Sequence, residues 1–100
     1  MGLFDFLGFG NKRKETILDF KNRNAIVVDV RSKMEFTQGK APNSINIPLE
    51  QFQSQIKGLK KKNKPVLLCC RSGARSGQAT RILSKHDVEC FNAGAWQNLL

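Results

Sequence analysis

Along the chain, apolar and polar positions fall into short blocks that alternate between helical spacing and unbroken apolar runs. Ile17, Leu18 and Phe20 lie among charges between Lys14 and Lys21, which predicts a short helix resting on a sheet. Ala25, Ile26, Val27 and Val28 lead without interruption into Asp29, the pattern of a central parallel strand buried on both faces. Gly39 to Pro48, with its Gly, Pro and Asn residues, predicts irregular chain, anchored by Ile45 and Ile47 in or beside a short strand. Pro48 then suits a helix start, and Leu49, Phe52, Ile56 and Leu59 recur as one apolar stripe on an amphipathic helix. Pro65 to Cys69 predicts a second buried strand, and Ala79, Ile82 and Leu83 a further helix after a loop rich in Ser, Gly and Arg. Val88 to Phe91 predicts a last strand, after which Asn92, Ala93 and Gly94 turn the chain toward Trp96. Strands alternating with helices define an α/β fold with a parallel sheet covered on both faces.

The length of 100 residues leaves room for one compact domain, expected over residues 14–100, behind an apolar and basic extension over residues 1–13. Leu3, Phe4, Phe6, Leu7 and Phe9 in that extension suit docking on the domain, a membrane surface or a partner, with docking the default. Apolar runs stop far short of the roughly 20 residues that cross a bilayer. Asp5 interrupts the segment where a secretory signal would be apolar, and Phe6 stands where myristoylation favours Ser or Thr. Three cysteines, two of them adjacent, do not make a disulfide framework and point to reduced thiols, hence to a cytoplasmic protein. The net charge of +9 clusters at Lys12, Arg13 and Lys14 and at Lys57, Lys60, Lys61, Lys62 and Lys64, and it attracts small anions. No aromatic residues interleave these lysines, which argues against nucleic acid and for a solvated surface. A monomer without metal or cofactor is expected.

The segment Cys70, Arg71, Ser72, Gly73, Ala74, Arg75, Ser76, Gly77 places a thiol at the exit of a buried strand and at the mouth of a helix. Helix amino-terminal amides and nearby Arg stabilise thiolate over thiol, so Cys70 is the candidate nucleophile. Gly73 and Gly77 let the loop curl so that successive backbone amides converge into an anion-holding nest. Arg71 and Arg75 offer planar forks to a sulfur oxyanion or to the outer sulfur of a persulfide. Pleat alternation sends Cys69 to the opposite face, and Cys90 is expected in the core. His86 suits a capping or solvated position near a helix end.

These residues resemble the rhodanese active-site loop, C-R-x-G-x-R, read here as Cys70 to Arg75. Asp29, Val30, Arg31 are similar to the family's D-V-R. Glu35, Phe36, Gly39, Pro42, Ile45, Asn46, Ile47 and Pro48 follow its E-F-x-x-G-H-I-P-G-A-I-N-I-P block, and Gly94, Ala95, Trp96 its closing G-G-W. Lys40, Asn43 and Ala95 depart from the pattern where the family has His, Gly and Gly. The resemblance implies a parallel sheet of four to five strands flanked by helices. It further implies transfer of a sulfane sulfur, from a donor such as thiosulfate or a protein persulfide to a thiophilic acceptor, through Cys70, with a cradle from Arg71 to Ser76 and Asp29 and Arg31 as supporting residues. Two rivals stand beside it. Cys69 to Arg75 also satisfies the C-x5-R spacing of phosphatases and arsenate reductases, and the loop could merely capture an anion while the basic helix end docks an acidic partner or RNA.

Overall fold

A computed structural model describes the backbone of residues 2–100 and the side chains of residues 12–100. Met1 and the expected docking of Leu3 to Phe9 lie outside what is described. The chain opens with α1 (Gly2–Asn22), a single helix running through the expected boundary after residue 13, where a short helix from Lys14 was expected. No proline interrupts it. It ends where Asn24 takes a left-handed φ of 65°, so that the Ala25 N–H reaches back to the Phe20 carbonyl at 3.0 Å and closes the last turn.

Strand β1 (Ile26–Asp29), helix α2 (Lys33–Gln38), the two-residue β2 (Ile45–Asn46), helix α3 (Leu49–Lys61) and strand β3 (Val66–Cys70) follow in order. Helix α4 (Ala74–Ser84), strand β4 (Cys90–Ala95) and a 3-10 turn over Trp96–Leu99 complete the chain. The four strands form one parallel sheet in the order β2-β1-β3-β4.

Alternation along β3 distributes the core between two layers. Val66, Leu68 and Cys70 face α3 and α4, where the stripe Phe52, Ile56 and Leu59 meets Ala79 and Leu83. Leu67 and Cys69 face the other way, under Ile17 and Phe20 of α1 and Leu99 of the terminal turn. The sheet is thus covered on both faces: α3 and α4, the helices of the parallel crossovers into β3 and β4, cover one, and α1 with the terminal turn covers the other.

Two further boundaries differ from expectation. The residues Asn92, Ala93 and Gly94 are not a turn but the body of β4. Leu68 pairs with Asn92 and Cys69 with Gly94, so Ala93 is one extra, bulged residue, and Gly94 takes a φ of 83°. Pairing with a fully buried neighbour satisfies these backbone groups and overrides their local turn preference. In addition, α4 starts at Ala74, so only Arg71 to Gly73 form loop, and Arg75, Ser76 and Gly77 are helical.

Candidate active site

Cys70 ends β3, and its Sγ sits under the first turn of α4. It accepts hydrogen bonds from the Gly73 N–H at 3.0 Å, the Ser76 N–H at 3.4 Å and the Ser76 hydroxyl at 3.3 Å. Gly73 permits this by adopting a φ of 107°, which turns the loop back over the sulfur. Cys70 is only 1% exposed, yet its sulfur is not sealed in apolar packing: its upper side is lined by donors. Burial pushes the Cys70 thiol up, but hydrogen bonds from the Ser76 hydroxyl and the N–H groups of Ser76, Gly73 and Ser72 outweigh it and hold the thiol below the ordinary cysteine value.

The other two cysteines have opposite environments. Cys69 lies on the far face of β3, fully buried, and burial together with the negative charge of Asp29 pushes its thiol up to about 12. It shares no space with the loop, so a C-x5-R site beginning at Cys69 is not formed. Cys90 is half-buried, its thiol donates to the Thr80 carbonyl at 3.6 Å, and burial raises it as well.

The two loop arginines differ. Both arms of the Arg75 guanidinium are held by Glu35 of α2, at 2.7 and 3.1 Å, so its fork faces across the site. The same carboxylate accepts the Ser32 N–H and hydroxyl, each at 3.0 Å, and thereby caps α2. Arg75 and then Ser32 hold the Glu35 carboxyl down to about 2. Arg71 is exposed and makes no ion pair among the described residues. It lines a cleft of about 360 Å³ with Arg31, Glu35 and Trp96.

Asp29 and Arg31 form a buried pair at 2.7 Å below this cleft. The guanidinium also donates to the Gly39 carbonyl at 2.6 Å and the Glu35 carbonyl at 3.3 Å, and lies 5.0 Å from the Trp96 ring centroid. Asn46 ties the same strand end down by donating to the Asp29 and Arg31 carbonyls. These residues fix the segment carrying Glu35; neither touches the Cys70 sulfur.

One contact residue escaped the pattern of the chain. Asn92, on β4, accepts the Ser76 hydroxyl at 2.6 Å and the Gly94 N–H at 2.9 Å, and donates to the Gly73 carbonyl at 3.0 Å. Its local signal, an Asn between apolar strand and glycine, is that of a turn. Gly77, taken as a source of loop curvature, instead makes room for it: a Cβ there would stand 3.3 Å from the Asn92 Nδ2.

The chain that builds this sheet, with a cysteine at the carboxyl end of a central strand beneath a helix amino terminus, matches the family model of the rhodanese-like domain over residues 13–98. The chain belongs to that family. It is 41% identical over 71 residues to the protein YqhL of Bacillus subtilis, covering 70% of this chain and 56% of that protein. It is 37% identical over 74 residues to the thiosulfate sulfurtransferase PspE of Escherichia coli, covering 72% and 71% of the two chains. A solved rhodanese with anions from E. coli superposes with a TM-score of 0.67 at 33% identity, over 74% of this chain and 89% of that one. The chain thus spans little more than half the length of YqhL, while sulfurtransferases are among its relatives at modest identity. No helix among the described residues is long and apolar enough to cross a membrane.

Proposed function

We propose that this protein is a sulfurtransferase in which Cys70 carries a sulfane sulfur as a persulfide. The observation behind it is the set of donors converging on Sγ, which favours a sulfur anion in an otherwise buried place. With thiosulfate as donor, the Cys70 thiolate attacks the outer sulfur, the S–S bond of thiosulfate breaks, and sulfite leaves with the bonding electron pair. The resulting persulfide anion occupies the cup, where the same N–H groups stabilise its outer sulfur. A nucleophilic acceptor, such as a thiolate or cyanide, then takes that sulfur and returns Cys70 to thiolate. Arg71, alone among the cup's arginines in facing solvent without an ion pair among the described residues, is suited to guide the anionic donor. Three unpaired cysteines fit a reducing, cytoplasmic setting.

Intact-mass measurement after incubation with thiosulfate tests this. A gain of about 32 Da, one sulfur atom, is expected on the peptide bearing Cys70, lost on adding cyanide or thiol. Cys70→Ser abolishes the adduct and Cys69→Ser retains it. An adduct that persists in Cys70→Ser, or hydrolysis of an aryl phosphate in its place, refutes the proposal.

A further inference from the structure

Ser76 is fully buried, and its hydroxyl has one proton but two acceptors, the Cys70 Sγ at 3.3 Å and the Asn92 Oδ1 at 2.6 Å. The shorter distance is an ordinary O–H···O bond length. The orientation of the Asn92 amide is set by the backbone on both sides: its Nδ2 donates to the Gly73 carbonyl and its Oδ1 receives the Gly94 N–H. An oxygen, and not an NH2, therefore faces Ser76. That oxygen keeps the Gly94 N–H when the hydroxyl rotates away, so releasing the proton leaves no buried acceptor unpaired. The sulfur, in contrast, gains a donor beyond the backbone N–H groups.

We propose that Asn92 is a positioning residue of this site, holding the Ser76 hydroxyl proton while Cys70 is a neutral thiol and yielding it to the sulfur whenever the sulfur is an anion. The inference rests on Cys70 being the sulfur carrier. Asn92 acts through Ser76 and does not touch the reacting atoms. In the neutral state the S–H can in turn donate to the Ser76 oxygen, so all polar atoms remain paired in both states. The anionic state of Sγ is the attacking thiolate, and Asn92 sets how readily it forms.

The charged groups about the sulfur are few. The loop brings Arg71, which is exposed; helix α4 brings Arg75, whose guanidinium is held by Glu35 of α2; the end of β1 brings Asp29, on the Cys69 side and paired with Arg31; and β3 itself brings Cys69. Strand β4 carries Cys90, bonded to the Thr80 carbonyl. Glu35, near 2, and Cys69, near 12, do not change charge in the neutral range.

Thiolate absorbance in the ultraviolet, followed against pH in the full chain without any sulfur donor, tests the proposal. Ser76→Ala is expected to move the Cys70 midpoint up by about half to one pH unit, the worth of one hydrogen bond. Asn92→Leu keeps the side chain's shape but removes the competing oxygen, and moves the midpoint down by a similar amount. In the Ser76→Ala background Asn92→Leu has no effect. An upward shift in Asn92→Leu, or the same shift with and without the Ser76 hydroxyl, shows a merely structural role and overturns the proposal. Should circular dichroism show Asn92→Leu unfolded, Asn92→Asp decides: its carboxylate repels the thiolate directly and also binds the hydroxyl more tightly. The midpoint then rises more with the Ser76 hydroxyl present than in the Ser76→Ala background, and an equal rise in both, or none, overturns the proposal. Expected shifts in a protein that never acquires sulfur would support Asn92 while refuting the sulfurtransferase function.

Discussion

Glu35 joins two helices through one carboxylate, closing the capping box of α2 with Ser32 and gripping Arg75 on α4. Its pKa is depressed from 4.5 to about 2, so it binds a proton more readily in the unfolded chain than in the folded one. The stability it contributes is therefore fully present above about 4.5 and is lost as pH falls toward 2. Glu35→Gln should lower the urea midpoint at neutral pH, and the gap to the parent protein should close between those two pH values. It should also slow sulfur loading, because Arg75 no longer fixes the first turn of α4. Local residue chemistry announced Cys70 and Gly73, since strand exit, glycine and thiol stand within four positions. It could not announce that the Arg75 fork is occupied from 40 positions away, or that Ser76 finds a partner 16 positions on. Such pairs exist only once the strands are ordered.

At the level of elements, period carried the prediction where one face is buried and failed where pairing overrides propensity. The stripe Phe52, Ile56 and Leu59 is the buried face of α3, and the alternation in β3 places Cys69 and Cys70 on opposite layers, both as expected. The expected strand, Val88 to Phe91, begins before β4 and stops short of its end, because Asn92, Ala93 and Gly94 are the residues of a turn. Gly94 shows why the true strand has glycine there. Its φ is 83°, and a Cβ would stand 3.1 Å from the Asn98 Nδ2 and 3.4 Å from an Arg13 guanidinium nitrogen. Gly94→Ala should therefore destabilise by about 1–3 kcal/mol, measured by urea unfolding, by combining backbone strain with displacement of those side chains. The bulge would shift with it and carry Asn92 away from Ser76, so the Cys70 titration should change in the same variant. An alanine that leaves both stability and titration untouched would show that the bulge does not position the site.

Charge acts over the whole molecule. The net charge of +9 raises the local concentration of anions, and an anionic sulfur donor should meet the protein faster than neutral diffusion allows. The lysines are not, however, gathered around the cup. Lys60, Lys61, Lys62 and Lys64 precede β3, whereas Cys70 ends it, and a five-residue strand rising roughly 3.3 Å per residue puts more than about 13 Å between them. The screening length is about 8 Å at physiological ionic strength and about 30 Å at 0.01 M. The lysine cluster is therefore felt at the sulfur only in dilute salt, while Arg71, on the loop itself, is felt in both. Stopped-flow loading with thiosulfate should show a rate constant that falls as salt is added. Replacing Lys60, Lys61 and Lys62 by Gln should flatten the low-salt part of that curve and leave the rate at 0.15 M almost unchanged, a concentration at which the screening length is about 8 Å. Arg71→Gln should lower the rate at both. A lysine variant equally slow at high and low salt would mean that this cluster contacts the donor directly, and the separation of surface charge from site charge would fail.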